Sequence, residues 1–287
     1  MSDPVVVGVD GTGRSLRALT WGAHEARLRG ADLLVVHALP RYEADFPFFP
    51  PGRFEEAEAR GQEIVAEAVA LVRETHPDVA VVTEQPMQTP AQALLERSGR
   101  AQVVALGAKG EDVGNLLLGS TVLQVVGHAD CPVVVVGHAS AGHDRVAVGT
   151  DGSPDSGAAL ALAFEEDRLR GARLSVVSAL GLPQGWPRHL LRPLPPDDEE
   201  ALRRRESVEA QLTALLEEHP DTEVSLDVHH AEPLTALGEA SHRADLLVLG
   251  SRGRGGFHGL AVGSTTHRML HLAGCPVAVT RSRSAST

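Results

Sequence analysis

The stretch VVVGVDGTGRS at residues 5–15 returns as VAVGTDGSPDS at residues 146–156, and this recurrence decides the fold. Each copy is a β-branched apolar run closing on Gly-x-Asp-Gly, the pattern of a buried strand that enters a turn. Working outward, EARLRGA (25–31) recurs as EDRLRGA (166–172) and LLVVHAL (33–39) as LSVVSAL (174–180), all displaced by 141 residues. Farther on the displacement grows. Gly107 corresponds to Gly250 at 143 residues, and Gly119 to Gly263 and Cys131 to Cys275 at 144, so one residue was gained or lost inside a glycine-rich loop.

Two tandem domains are therefore expected, 1–138 and 144–287, joined through the small polar stretch GHASAGHDR at residues 137–145. Strand-like runs in the first half at 5–9, 33–38, 79–84, 103–106 and 133–136 alternate with helix-like runs at 15–29, 54–74, 90–98 and 120–129. The strands are short and nearly continuous in apolar character, as parallel strands covered on both faces are. This alternation predicts an α/β fold of two doubly wound parallel sheets, one per half. Long Pro/aromatic loops at 41–52 and 182–198 follow the second strand of each copy, and such loops suit either a lid at the carboxyl edge or a plain surface insertion.

Net charge is −12, with 38 acidic against 26 basic residues, which opposes a nucleic-acid-coating role while leaving room for a single nucleotide at one basic loop. Aromatic residues are 3% of the chain, too few for a run of base-stacking platforms. No apolar run approaches the roughly 18 residues of a spanning helix, and residues 1–14 lack the pattern of a signal peptide. Two cysteines, Cys131 and Cys275, are too few for a disulfide framework. A cytoplasmic protein without nucleic-acid or membrane partners is the expectation.

The strongest site signal is Gly250-Ser251-Arg252-Gly253, which follows an apolar strand and reaches Gly263-Ser264-Thr265 at a helix start, spelling G-x2-G-x9-G-S-T. Glycines allow close backbone approach, and free N–H groups and hydroxyls at a helix start donate to phosphate oxygens. Residues 8–15 read G-x4-G-R-S, one substitution from a P-loop, yet the second copy has Pro154 and Asp155 where Gly13 and Arg14 stand, so this is a strand-to-helix turn. Asp10 and Asp151 in these turns also fit a structural role as helix caps.

On these motifs, and on the CPVVVV and CPVAV last strands, the chain resembles the universal stress proteins in a tandem two-domain form, over both halves almost end to end. The resemblance implies a Rossmann-like, adenine nucleotide α-hydrolase-like fold with ATP, with or without Mg, at G-x2-G-x9-G-[ST]. It also implies adenosine contacts from the aspartate after the first strand and from backbone near the end of the second. By motif position these are Asp151, Ala179, Gly250, Arg252, Gly253, Gly263, Ser264 and Thr265 in the second half. In the first they are Asp10, Ala38, Gly107, Gly110, Gly119, Ser120 and Thr121. In that family domains pair through the last strand, which implies an intramolecular domain pair and room for a homodimer.

The first half departs from the pattern as G-x2-G-x8-G-S-T, with Glu111 and Asp112 where the second has Arg254 and Gly255, although Lys109 still matches Arg252. Like charge beside a polyphosphate is unfavourable, so the second half is expected to be the tighter ATP site. His267 and His271 stand at i, i+4 without an acidic partner, and no metal site is expected. The arginine-rich run at 202–206 reads as a solvated helix face. No Ser-His-Asp order, paired carboxylates or metal cluster recurs in both copies, so the leading expectation is a stress or regulatory protein whose nucleotide is a conformational ligand read by a protein partner. Any ATP hydrolysis is expected to be slow. The alternatives are an ATP-hydrolysing or adenylyl-transferring enzyme, and a nucleotide-free scaffold assembling through its last strands.

Overall fold

The computed structural model describes residues 2–39, 53–108, 118–139, 142–153, 156–182, 198–253 and 261–281. The chain divides into two compact units, Met1–Val136 and Gly137–Thr287. The stretch expected to link them is fastened to the second unit: the amides of Gly142 and His143 donate to Asp245 Oδ1 at 2.7 and 2.9 Å, and His138 Nδ1 lies 3.0 Å from the Ala273 carbonyl.

In the first unit the chain runs β1 (Val5–Gly8), α1 (Gly13–Arg29), β2 (Leu33–Val36), α2 (Arg53–Thr75), β3 (Val81–Glu84), α3 (Pro90–Ser98), β4 (Val103–Gly107), α4 (Ser120–His128) and β5 (Val133–Val136). All neighbours are parallel, in the order β3-β2-β1-β4-β5. The second unit repeats it with β6 (Arg145–Gly149), α5 (Gly157–Arg170), β7 (Arg173–Ala179), α6 (Glu199–Glu218), β8 (Val224–His229), α7 (Pro233–Ser241), β9 (Leu246–Gly250), α8 (Ser264–Leu272) and β10 (Val277–Thr280), in the parallel order β8-β7-β6-β9-β10. Each unit thus has the doubly wound, parallel α/β order that the sequence predicts.

The repeated R-L-R-G-A motif ends a helix in each unit. Gly30 and Gly171 adopt φ of 57° and 58°, the left-handed conformation that stops a helix, and Ala31 and Ala172 donate back to the carbonyls of Ala26 and Asp167. Central strands β1, β2, β4, β6 and β9 bury nearly every side chain. One expectation needs correction. β3 and β8 are not covered on both faces: they terminate the order on one side of each unit, and Val82 of β3 is 49% exposed. Among the described residues no helix is long and apolar enough to cross a membrane.

Candidate nucleotide sites

Strand order reverses between β1 and β4 in the first unit and between β6 and β9 in the second, and open α/β sheets form their crevice outside the carboxyl ends of the strands at such a point. A cleft lies there in each unit, of about 360 Å³ in the first and about 330 Å³ in the second. The second cleft is lined by all eight residues expected in that half: Asp151, Ala179, Gly250, Arg252, Gly253, Gly263, Ser264 and Thr265. Its floor is Gly149 with Leu237 and Leu249, and a Cβ on Gly149 would fall 2.7 Å from both leucine side chains, so glycine keeps the floor low. The first cleft is lined by Asp10, Ala38, Gly107, Gly119 and Thr121, whereas Ser120 is exposed and does not line it. Gly110, Lys109, Glu111, Asp112, Arg254 and Gly255 lie outside the described residues.

The turn that carries each aspartate has a local cause. Gly11 and Gly152 adopt φ of 78° and 69°, a conformation that side chains disfavour, which is why Asp-Gly is written twice. Asp10 Oδ1 accepts from Thr12 N at 3.0 Å and Thr12 Oγ1 at 2.6 Å, and Asp151 Oδ1 accepts from Ser153 N at 3.0 Å and Ser153 Oγ at 2.5 Å. Neither aspartate is a helix cap, the structural role open from sequence. Thr12 caps α1, and Ser156 holds the cap position of α5. The aspartates instead brace the turn with one oxygen, and Asp151 Oδ2 faces Gly253 across the cleft, 3.0 Å from where a Cβ would stand. Burial pulls the Asp10 carboxyl upward, but donation from the Thr12 side chain and backbone and from Ser15, with the charge of Arg14, holds it below the usual carboxylate value.

The opposite wall is a helix start. Gly119 and Gly263 sit at the N-caps of α4 and α8 with no side chain capping either helix, and the first turns of both helices line the clefts. Gly263 N donates to the Ser251 carbonyl at 2.7 Å and Thr266 Oγ1 to the Gly250 carbonyl at 2.7 Å, tying the two ends of the glycine loop together. Thr266 lines the cleft and was missed in the sequence because its counterpart is Val122. His37 was missed for the same reason: it lines the first cleft, Nδ1 2.9 Å from the Val9 carbonyl, but Ser178 replaces it in the repeat.

The arginine-rich run is not wholly a solvated face. Leu202 and Arg203 are exposed, but Arg204 turns inward, and its Nη1 donates to Ser178 Oγ at 3.1 Å. The reason is helical phase, since Arg204, Ser207 and Gln211 share the stripe of α6 that meets the strand ends. His267 and His271 stack edge to face with ring centroids 5.3 Å apart, and burial, then the charge of His267, pulls the His271 imidazole downward. Among the described residues no three His, Cys, Asp or Glu side chains converge as metal ligands.

Comparison with known proteins agrees with this architecture. The Universal stress protein family matches residues 1–137 and again 142–281. Universal stress protein Rv2005c of Mycobacterium tuberculosis is 37% identical, with 96% of each chain covered, and a universal stress protein of Mycolicibacterium smegmatis is 35% identical with 97% of each covered. The crystal structure of a universal stress protein from Archaeoglobus fulgidus is similar with a TM-score of 0.73 at 20% identity, covering 98% of this chain and 99% of that one. With one family match in each half and relatives spanning nearly its whole length, the chain belongs to the universal stress protein family.

Proposed function

We propose that the protein binds adenine nucleotide, with ATP as the ligand and Mg accompanying the phosphates, and that it uses occupancy as a conformational signal in a stress response. The observation that carries this reading is the second cleft. An uncapped helix N-terminus at Gly263 faces Asp151 across about 330 Å³, over an apolar floor of Leu237 and Leu249. N–H donors at a helix start suit phosphate oxygens, a leucine floor suits a base, and a carboxylate at the strand end suits ribose hydroxyls. Arg252 adds a cation on the phosphate side.

The first cleft offers a similar frame, and the two volumes do not rank the sites. The ranking rests on loop composition: Lys109 matches Arg252, but Glu111 and Asp112 stand in the first half where the second has Arg254 and Gly255. Nucleotide contacts in one state and not another would shift the population of states, which is how a ligand serves as a signal without being consumed. Mass spectrometry of nucleotide released from gently purified full-length chain, paired with calorimetric titration of stripped protein with ATP, tests the reading. The expected result is an adenine nucleotide at one to two per chain. Neither co-purified nucleotide nor heat of ATP binding would leave the scaffold reading in its place.

A further inference from the structure

The two copies build the base of the cleft by different chemistry. Aligned through His76-Pro77-Asp78 and His219-Pro220-Asp221, the residues Gly61, Ile64 and Ala68 of α2 correspond to Arg204, Ser207 and Gln211 of α6, and Val9 after β1 corresponds to Thr150 after β6. In the first unit this layer is apolar: Val9, Ile64 and Ala68 are buried, and Ile64 stands under the turn glycine, Gly11. In the second it is a hydrogen-bonded network. Ser207 Oγ donates to the Gly152 carbonyl at 2.9 Å, and Gln211 Nε2 reaches the carbonyls of Gly152 and Ser153 at 3.1 and 3.0 Å. Thr150 Oγ1 donates to Ser156 Oγ at 2.8 Å and accepts from Gly152 N at 3.1 Å.

The same exchange occurs one turn earlier. Three side chains close over Gly61, where a Cβ would lie 2.8 Å from Gln85 Nε2, 2.9 Å from Leu39 Cδ2 and 3.0 Å from the His37 ring. Its counterpart Ser178 is small and fully buried, and Arg204 occupies the space, donating to Ser178 Oγ at 3.1 Å and approaching the Ala179 carbonyl at 3.5 Å. A large residue on the strand with glycine on the helix has become a small residue on the strand with arginine on the helix.

We propose that Arg204, Ser207 and Gln211 are positioning residues of the second cleft. Through Gly152 and Ser153 they fix the turn that aims Asp151, and through Ser178 they fix the end of β7 at Ala179, so that both adenosine-facing walls are preset by one face of α6. The claim about ATP rests on the function proposed above; the claim about the turn does not. Fully satisfied polar networks specify one geometry more narrowly than an aliphatic contact does, and a preset site loses less entropy on binding.

The test uses the full chain carrying Gly119→Val, so that ATP titration reads the second cleft. Ser207→Ala/Gln211→Ala is expected to weaken ATP binding about tenfold and to speed amide exchange at Gly152 and Ser153, measured without nucleotide, by about the same factor. Arg204→Gly is expected to weaken binding similarly and Arg204→Lys, which keeps a cationic donor, to restore part of it. Unfolding midpoints identify any variant whose fold is lost, and the exchange rates of the Ser207→Ala/Gln211→Ala chain then decide. Unchanged exchange overturns the proposal, as does faster exchange with unchanged ATP affinity. If the parent chain bound no ATP, the functional reading would fail, while exchange at Gly152 and Ser153 would still settle whether α6 holds the turn.

Discussion

Glu25 is completely buried, and its Oε1 stands 2.5 Å from Nε of Arg29, one helical turn along α1. Glu166 and Arg170 repeat the pair in α5. Removing one partner of a buried pair takes away much of what compensates the other's charge, so Arg29→Met is expected to lower the stability of the first unit, by up to about 3–5 kcal/mol in urea unfolding. Glu25→Leu/Arg29→Met removes both charges and should recover most of the loss. Arg203→Met serves as the contrast, since the Arg203–Glu199 pair is 69% and 85% exposed. It should cost less than about 0.5 kcal/mol. Equal effects at the two places would show that burial is not what makes the Glu25 pair matter.

The sheets were legible in sequence because their signals are local: β-branched runs such as VVVG and glycines such as Gly11 and Gly30 act on the backbone where they stand. The candidate site was legible where the repeat preserved it, at Asp10/Asp151 and Gly119/Gly263. It was not legible where the copies diverge by compensation. His37 with Gly61 and Ser178 with Arg204 conserve a volume across a helix and a strand, and neither change carries meaning until the two elements meet. The burial of Glu25 and Arg29 was not legible at all, because an i, i+4 Glu–Arg spacing is the same on a buried as on an exposed helix face, and burial is a property of packing, not of spacing. The exposure of β3 was missed because an end strand and a central strand share one composition until the order of the sheet is known.

Asp10 and Asp167 should move stability with pH in opposite directions. Burial raises the Asp167 carboxyl above its usual value; a hydrogen bond with Thr222 and the charge of His219 pull it back only in part, and its Oδ1 has no hydrogen-bond partner among the described residues. An acid raised on folding costs stability at neutral pH, and the cost is relieved as pH falls through the raised value. Asp167→Ala, which copies the fully buried Ala26 of the first unit, is therefore expected to stabilise more at pH 7 than at pH 4. Asp10 is depressed on folding, so its contribution is present above the unfolded value of about 3.9 and is lost as pH falls through the folded one. Asp10→Asn should weaken the first unit at neutral pH and make no difference in strong acid. Parallel pH profiles for wild type and both variants would contradict these assignments.

Both cysteines precede the proline that opens a last strand. Burial, then the nearby carboxylates of Asp130 and Asp245, pushes the Cys131 and Cys275 thiols up to about 12. Only the thiolate attacks an electrophile, so at pH 8 alkylation of the folded chain should be on the order of a thousandfold slower than that of a free thiol near its usual value of about 8.5. Iodoacetamide followed by mass spectrometry should find no label on folded protein and two per chain after unfolding. Prompt labelling of either residue in the native chain would mean that it is accessible and ionised.

The ranking of the two clefts can be read with substitutions that the backbone tolerates. Gly119 and Gly263 have φ of −59° and −67°, open to any residue, and a Cβ on Gly263 would meet the Ser251 carbonyl at 3.4 Å and Arg252 Cα at 3.6 Å, ordinary contacts. Valine at Gly263 should therefore leave the fold intact while its methyls crowd the N–H groups that would receive phosphate, and unfolding midpoints check the same for Gly119→Val, whose backbone angle permits it. Gly263→Val is expected to reduce ATP affinity at the tighter site by at least about a hundredfold, roughly 2.7 kcal/mol, and to remove one equivalent of bound nucleotide. Gly119→Val should remove only the weaker phase of the titration. Because Glu111 and Asp112 oppose polyphosphate in the first half where the second has Arg254 and Gly255, added salt should narrow the gap between the two phases in wild type. If Gly119→Val abolished binding while Gly263→Val left stoichiometry and affinity unchanged, the order of the two sites would be the reverse, and the first cleft, with His37 at its wall, would be the principal one.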